Sequence, residues 1–308
     1  MKIRIATRKS ALALWQAEHV AAVLQALPDV TATELVPLST RGDEILDRSL
    51  QKIGGKGLFI KELEVAMQDG DADIAVHSMK DVPAELPGGF CLAAVLPRAN
   101  YRDALVAAPG TTVASLPRAA LIGSSSLRRQ AQLRMLRPDL RIEPLRGNVN
   151  TRLQKLQDGD YDAIVLAAAG LERLGLEHHI SHPFAADEML PAAAQGVLGI
   201  ECRDDRDDLR RLLDTLNDAM TVQTTTAERA IARVLQANCQ SPVAALAKLD
   251  STTLTLTALV AHPSGTPFIR DSLNGRPADA RAIGEQLAHK LLDKGAGDIL
   301  ASIEASDD

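Results

Sequence analysis

The sequence has few aromatic residues, few cysteines and no long apolar run. Aromatic side chains make up 2% of the 308 residues, which argues against base stacking as a way of binding nucleic acid. No apolar run approaches the ~20 residues that a membrane-spanning helix requires. The chain has three cysteines, too few and too scattered for a disulfide framework or a Cys-x-x-Cys metal site: Cys91, Cys202 and Cys239. We therefore expect neither a disulfide-stapled nor a membrane protein.

The N-terminus also lacks the apolar segment and small-residue cleavage site of a secretory signal, so we expect a cytoplasmic protein. At 308 residues the chain is about twice a typical domain, which favours two or three domains. Its 46% hydrophobic and 24% charged residues are typical of a protein that can bury a sizeable core.

The formal net charge of −6 hides a strongly basic stretch. Residues 128–152 contain seven arginines, no lysine and two acidic residues, which gives this stretch +5 and leaves −11 for the rest. A guanidinium binds a carboxylate or phosphate through two parallel hydrogen bonds. The stretch therefore favours a small anionic ligand, while a helix face of solvated arginines is an equally open interpretation. Nucleic acid is a weaker one, because the remaining charge would oppose binding of a phosphate backbone.

Short apolar runs alternate with helical patterns over the first two-thirds of the chain. This alternation predicts βαβ units and an α/β fold. After about residue 222 the pattern changes to one helix, three consecutive strands and a final helix, which predicts a small α+β domain. The strands predicted before residue 222 are Ile3–Ala6, Glu34–Leu38, Ile74–His77, Ala93–Leu96, Leu121–Gly123, Arg141–Leu145 and Ala163–Ala167.

Three of the predicted strands lead into a helix through a polar junction that contains arginine. The junctions are residues 7–10 (TRKS), 124–129 (SSSLRR) and 146–148 (RGN). Each offers helix N–H groups, hydroxyl or amide side chains and a guanidinium at the carboxyl end of a strand, where open α/β sheets bind ligands. One such junction would be ordinary helix capping. Three together predict an anion site.

A cluster of titratable residues follows another strand, in residues 73–83 (DIAVHSMKDVP). An acid at a strand end that faces an arginine-rich cleft could stabilise a cation or move a proton, which makes Asp81 a catalytic candidate. The alternative is that Lys80 and Asp81 form a surface ion pair of little consequence. We expect His77 to be a hydrogen-bonded structural residue, because no second metal ligand lies at a suitable spacing.

Two further segments leave alternatives open. Residues 54–57 (GGKG) lack the spacing and the Ser/Thr of a P-loop; with residues 45–53 they are either a flap over a cleft or an exposed connector. Cys91 and Cys202 lie in apolar surroundings and are expected to be inert core thiols. Cys239 lies among polar and turn residues, which makes partial exposure and reactivity possible.

A series of motifs follows along the chain: RIATRKSALALWQ (4–16), TRGD (40–43), GGKGLF (54–59), HSMKDVP (77–83), SSLRR (125–129), LRGN (145–148), LPA (190–192), QG (195–196) and NCQ (238–240). In this order they resemble one family, porphobilinogen deaminase (hydroxymethylbilane synthase), a transferase of tetrapyrrole and heme biosynthesis. The resemblance extends from about residue 3 to residue 295. The combination around residues 80–81 and 128–129 is highly specific.

The resemblance implies two lobes like those of type-II periplasmic binding proteins, with mixed, mainly parallel sheets, and a small C-terminal α+β domain. The first lobe would comprise residues 1–98 with 195–218, the second residues 102–190, and the last domain residues 222–308. It also implies a monomer that uses no metal and binds neither nucleic acid nor membrane.

The family attaches a dipyrromethane cofactor, made from two substrate units, through a thioether to a cysteine that corresponds to Cys239. Four porphobilinogens are then joined head to tail with loss of ammonia, and hydrolysis releases hydroxymethylbilane. The catalytic residues that the resemblance implies are Asp81 and Lys80. Asp81 corresponds to the family's catalytic aspartate and is expected as a buried carboxylate. Its carboxylate stabilises the azafulvenium cation that deamination generates, and helps to pass protons.

The remaining site residues are also implied by the resemblance, because every porphobilinogen carries an acetate and a propionate. The cofactor-binding residues are Cys239, Lys80, Asp81, Ser126, Arg128, Arg129, Arg146 and Gly147. The substrate-binding residues are Arg8, Ser10, Gln16, Arg146, Arg152 and Arg173. The flap would be residues 45–57, with Lys56 in it and Phe59 packing beneath it.

One departure is that Ala237 and Asn238 precede the cofactor cysteine, where many members have two glycines, although asparagine tolerates left-handed backbone better than most residues. The main competing hypothesis is a non-enzymatic protein of the same two-lobed fold that binds a small anion, since a fold does not determine a function. That hypothesis explains the arginines but neither Asp81 beside Lys80 nor Cys239.

Overall fold

The computed structural model describes residues 1–40, 60–238 and 240–304. The chain divides into two compact units, Met1–Arg98 with Val197–Thr221, and Ala99–Gly196 with Val222–Asp308. Among the described residues, no helix combines the length and apolar character needed to cross a membrane.

The first unit is built on a five-stranded mixed sheet of order β2-β1-β3-β10-β4. Its strands are β1 (Lys2–Arg8), β2 (Ala32–Leu38), β3 (Ile74–Ser78), β4 (Phe90–Val95) and β10 (Leu198–Arg203). The strands β1, β2 and β3 are parallel, whereas β10 runs antiparallel to both of its neighbours. The helices of this unit are α1 (Ala11–Gln25), α2 (Lys61–Gln68) and α6 (Asp207–Asp214).

Alternation of side chains along β3 determines which helix covers which face of this sheet. Ile74 and Val76 belong to the core cluster that includes α1 and α6, whereas Ala75 belongs to a second cluster with Leu63 and Met67 of α2. The strand therefore has apolar side chains on both faces, as expected for a strand in the middle of an α/β layer.

The second unit contains another five-stranded mixed sheet, of order β7-β6-β8-β5-β9. Three parallel strands are again followed by one strand antiparallel to both neighbours, here β5. The strands are β5 (Asp103–Val106), β6 (Leu121–Gly123), β7 (Arg141–Glu143), β8 (Ala163–Ala167) and β9 (Ile180–Pro183), and the helices are α3 (Leu127–Leu136), α4 (Val149–Gln157) and α5 (Ala168–Arg173).

The C-terminal part of the second unit is an antiparallel sheet of three strands, in the order β11-β12-β13. They are β11 (Val243–Leu249), β12 (Leu254–Ala261) and β13 (Phe268–Gly275). One core cluster on this sheet includes residues of α7 (Ala219–Val234), α8 (Ala280–Asp293) and α9 (Ala296–Glu304). In a second core cluster, Leu246 and Leu259 of this sheet pack with Ala131 of α3 and with Leu190.

The architecture confirms the expected fold class: two α/β lobes with mixed, mainly parallel sheets and a small C-terminal α+β domain. All seven strands predicted before residue 222 are present, within a few residues at each end. The sequence analysis missed β5, β9 and β10. Two of these, β5 and β10, are the antiparallel strands, which lie outside the βαβ pattern on which the prediction rested.

Candidate functional site

Asp81 lies in a one-turn 3₁₀ helix, Met79–Asp81, directly after β3. Met79 is 2% exposed and its backbone N–H donates to the carbonyl of Val197 at 2.9 Å. Successive residues of a 3₁₀ helix point about 120° apart, so Asp81 does not share the buried side of Met79, and it is exposed. The expectation of a buried Asp81 carboxylate is therefore wrong for this structure. Lys80, between them, is half-buried.

The junction after β1 lies beside this turn. Ser10 caps α1, its hydroxyl oxygen accepting the Ala13 N–H at 3.3 Å, as the sequence indicated. Gln16, one turn further along α1, is 4% exposed and donates through Nε2 to Ser78 Oγ at 2.8 Å. One small cleft is lined by Arg8, Ser10, Gln16, His77, Ser78 and Asp81. The structure thus brings the substrate candidates Arg8, Ser10 and Gln16 together with Asp81.

His77, one residue before the end of β3, is a buried hydrogen-bonded residue, as expected from the sequence. Its Nε2 lies 2.7 Å from Oε2 of Glu201, and both side chains are almost fully buried. Within the described ranges, no group of three or more His, Cys, Asp or Glu side chains could hold a metal ion.

In the second unit, Arg128 and Arg129 share one buried carboxylate, that of Asp103 at the start of β5. Arg128 Nη1 lies 2.6 Å from Asp103 Oδ2, and Arg129 Nη2 lies 2.7 Å from Asp103 Oδ1. Both arginines lie in the first turn of α3, are 5% and 7% exposed, and also donate to backbone carbonyls. Two guanidiniums with one carboxylate retain one positive charge. The pair is therefore held in place from inside the protein and still favours an anion.

Ser126 occupies the N-cap position of α3, but its side chain makes no capping bond. The hydroxyl of Ser125 instead joins two strand-end loops, donating to the Leu145 carbonyl at 2.9 Å and accepting its N–H at 3.0 Å. The polar junctions after β6 and β7 are consequently fixed to each other. This brings the Ser126 junction next to the one that carries Arg146 and Gly147.

The junction after β7 forms a tight turn at Gly147 that leads into α4. Gly147 has φ +112°, and a Cβ there would lie 2.7 Å from Thr151 Cγ2. Asn148 caps α4 through Oδ1, which accepts the Thr151 N–H at 2.9 Å. Arg152 donates through Nε to the Gly147 carbonyl at 2.7 Å. Only glycine fits this turn, and the turn brings Arg146 and Arg152 to the N-terminus of α4.

Arg173 is the last residue of α5, the helix that follows β8. Its Nη2 donates to the carbonyl of Gly196 at 2.8 Å, and burial lowers the pKa of its guanidinium. Other arginines of the basic stretch have ordinary partners: Arg137 pairs with Asp139, and Arg141 forms an exposed pair with Glu143. These two arginines therefore form ordinary ion pairs, although neither lies on the helix face that the alternative interpretation expected.

Several residues singled out from the sequence lie outside the described residues: Lys56, Phe59, Cys239 and the whole segment 45–57. The loop before Cys239 is described as far as Asn238, whose side chain Oδ1 accepts the Gln240 N–H at 2.7 Å. Left-handed backbone there falls on Gln236, at φ +50°, rather than on Asn238. Asn238 therefore stabilises this loop through its side-chain hydrogen bond, not through a left-handed backbone conformation.

The other two cysteines lie on neighbouring strands, β4 and β10, with their sulfur atoms 3.9 Å apart. Cys202 is buried, and burial raises the pKa of its thiol to about 12. This agrees with the expected inert core thiol. Cys91 is partly exposed.

Two family profiles match this chain: "Porphobilinogen deaminase, dipyromethane cofactor binding domain" over residues 3–211 and "Porphobilinogen deaminase, C-terminal domain" over residues 222–293. The chain belongs to the porphobilinogen deaminase family. It is 54% identical to the porphobilinogen deaminase of Chromobacterium violaceum over 99% of this chain and 98% of the relative. It is 53% identical to that of Bordetella parapertussis over 98% of this chain and 96% of the relative.

Among solved structures, the methionine-binding protein MetQ is similar with a TM-score of 0.45 and 11% identity, over 70% of this chain and 89% of that one. Family membership makes the chain a transferase of porphyrin biosynthesis with porphobilinogen deaminase activity and a dipyrromethane cofactor. That cofactor bears acetate and propionate groups. The donors described above, a net-positive arginine pair and two helix N-termini at joined loops, fit such a ligand.

Sequence reasoning missed two buried carboxylates that lie against the candidate residues, Asp103 and Glu201. Both occur at apolar strands, Asp103 before Ala104–Val106 and Glu201 within β10. An acid embedded in an apolar run is the signal that could have found them, because a buried carboxylate requires a partner. The partners, two arginines and a histidine, are distant in sequence.

Proposed function

We propose that this porphobilinogen deaminase uses Asp81 as its catalytic carboxylate and Cys239 as its point of cofactor attachment. Four porphobilinogens would be joined head to tail on the dipyrromethane primer, and water would release hydroxymethylbilane. The observation that carries the Asp81 assignment is the cleft in which Asp81 meets Arg8, Ser10 and Gln16.

Asp81 acts on the charges that appear as each substrate reacts. The C–N bond of the aminomethyl group breaks, ammonia leaves, and the substrate becomes an azafulvenium cation. An exposed carboxylate at the end of β3 can reach a pyrrole N–H and stabilise that cation. After the new C–C bond forms, the same carboxylate helps to remove the proton from the joined α-carbon. The neighbouring Lys80 supplies an ammonium group that donates a hydrogen bond to a substrate carboxylate.

Carboxylate groups of the substrate are bound by guanidinium, hydroxyl and amide donors. In the first unit these are Arg8, the N-terminus of α1 at Ser10, and Gln16. In the second unit they are Arg146, Arg152 and Arg173. Several arginines are needed because every added substrate brings two more carboxylates.

The residues that would hold the cofactor are Cys239, through a thioether, with Lys80, Asp81, Ser126, Arg128, Arg129, Arg146 and Gly147. When bound, the dipyrromethane supplies a nucleophilic pyrrole carbon to which the first substrate is joined. The buried Asp103 supports this assignment, because it keeps Arg128 and Arg129 in fixed orientations. Gly147 lets the chain turn closely at a neighbouring junction.

The same proposal includes the organisation of the whole chain. Residues 1–98 with 195–218 form the first lobe, residues 102–190 the second, and residues 222–308 the cofactor-bearing domain. The protein acts as a cytoplasmic monomer on porphobilinogen alone, without metal, nucleic acid or membrane.

Replacing Asp81 tests the catalytic assignment. Asp81→Ala should lower kcat by about 10²- to 10³-fold, as expected when one preorganised charge stabiliser is lost, and Asp81→Glu should restore part of it. The control is Asp71→Asn, an exposed acid of the same unit, which should leave kcat unchanged. Full turnover by a folded, cofactor-loaded Asp81→Ala protein would refute the assignment.

A further inference from the structure

The strand β10 lies alongside the segment that carries Asp81. It pairs antiparallel with β3 so that Gly199 is opposite His77 and Glu201 is opposite Ala75. Directly paired residues project to the same face of a sheet, so all four lie on the face that α2 covers. Glu201 and His77 are diagonal neighbours there, close enough for their side chains to meet.

Glu201 is fully buried and bonds His77 through only one of its oxygens, Oε2 at 2.7 Å. In the described part of the chain, its other oxygen, Oε1, has no hydrogen-bond partner. A buried carboxylate with an unsatisfied oxygen costs stability and requires an explanation. A pair kept only for stability would be better replaced by apolar residues. This suggests a role in function.

A second contact from β10 reaches the same turn. Gly199 has no Cβ, and a Cβ at that position would collide with the sulfur of Met79. Met79 opens the turn that carries Lys80 and Asp81, and its N–H is bonded to Val197 just before β10. The strand β10 therefore fixes the residues on both sides of Ser78, His77 through Glu201 and Met79 through the space at Gly199.

His77 also lines the cleft that contains Asp81. Of the described charged groups, those facing it are Glu201 from β10, Glu64 from α2, and Asp81 and Arg8 in the cleft. Burial raises the pKa of the Glu64 carboxyl, and the charge of Glu201 raises it further. Among these groups, Glu201 is the one in direct contact with the His77 ring, at 2.7 Å.

We propose that Glu201 and His77 are positioning residues for the deaminase reaction, a buried pair that holds the Ser78–Asp81 segment in the orientation catalysis requires. The inference rests on the proposed role of Asp81 and goes beyond it. It assigns a function to a carboxylate that touches neither substrate nor cofactor.

The test is Glu201→Gln, which keeps the size and a hydrogen bond but removes the charge. Rates are taken per molecule of folded, cofactor-loaded enzyme, counted by intact mass. We expect kcat to fall about 10- to 100-fold, the cost of a small misplacement of a catalytic group, and KM to change less than about threefold. The matched control is Glu188→Gln, which alters another His–Glu pair, His182–Glu188, in the second unit.

The spectroscopic readout is the imidazole nitrogen signal of His77, assigned with a His77→Asn variant. In Glu201→Gln this signal should shift, because the 2.7 Å contact between Nε2 and a carboxylate oxygen is replaced by a contact with an amide group. Gly199→Ala, which displaces Met79 without altering charge, should lower kcat but leave the His77 signal in place.

Unchanged kcat per loaded Glu201→Gln molecule would overturn the proposal, as would an equal loss in Glu188→Gln. Full turnover by folded, cofactor-loaded Asp81→Ala would instead refute the proposed role of Asp81, on which the inference rests. The two failures are thus distinguishable.

Discussion

Asp103 shows how a single residue can orient the arginines of a proposed anion site. Its carboxylate lies in the protein interior between the guanidiniums of Arg128 and Arg129, and Gln195 Nε2 lies 3.2 Å from it. An external carboxylate would therefore meet arginines that are already oriented. The sequence could identify the arginines from their spacing, but not their partner, which lies 25 residues earlier on a strand that was missed.

Removing this charge should destabilise the second unit. We expect Asp103→Asn to lower the free energy of unfolding by about 3–5 kcal/mol, because two guanidiniums remain buried without their counter-charge. The measurement is urea denaturation of the purified variant. Asp205→Asn, at an exposed ion pair with Arg203, is the control and should change nothing measurable. Equal urea midpoints for Asp103→Asn and wild type would contradict a stabilising role of Asp103 as the counter-charge of Arg128 and Arg129.

Gly147 supports a second prediction at the same scale. Gly147→Ala should destabilise the protein by about 1–3 kcal/mol more than Gly159→Ala. Both positions have positive φ, but only at Gly147 would the new Cβ collide with another residue, Thr151, whereas at Gly159 it would meet open space. Thermal unfolding of the two variants gives the comparison. If both lose the same stability, the contact with Thr151 is unimportant.

At the scale of elements, local patterns predicted most of the helices and strands. The helical patterns in the sequence predict helices over Lys61–Gln68 and Leu127–Leu136, and these are the bounds of α2 and α3. Ser10 and Asn148 cap α1 and α4. Local patterns could not predict β10. Its apolar run contains Gly199 and the buried Glu201, whose fit depends on Met79 and His77, more than a hundred residues away.

Substitutions at Ser10, which caps α1, should separate an effect on stability from an effect on substrate binding. Ser10→Ala should lower the free energy of unfolding by about 1 kcal/mol, because the cap of α1 is lost. Ser10→Asp keeps a capping oxygen but adds a negative charge where we place a substrate carboxylate, and like charges repel. We therefore expect near-normal stability and a KM for porphobilinogen raised at least about tenfold. An unchanged KM in Ser10→Asp would exclude carboxylate binding at this helix end.

For the whole molecule, the sequence predicted the fold class and the family but not the exposure of individual side chains. The alternation of strands and helices predicted the α/β fold, and the motifs predicted the family. The exposure of Asp81 could not be predicted, because it depends on Met79 turning inward against the far strand β10. The excess of arginine in residues 128–152 was visible from the sequence, but its partition between structural ion pairs and binding groups was not.

The central claim is that Cys239 carries a dipyrromethane on which the product is built. The most direct test is the intact mass of the purified protein, followed by peptide mapping of any adduct. We predict an excess equal to two porphobilinogens less two ammonias, located on Cys239 and absent from Cys239→Ser. A bare mass that stays unchanged after incubation with porphobilinogen, or an adduct on another residue, would contradict the account.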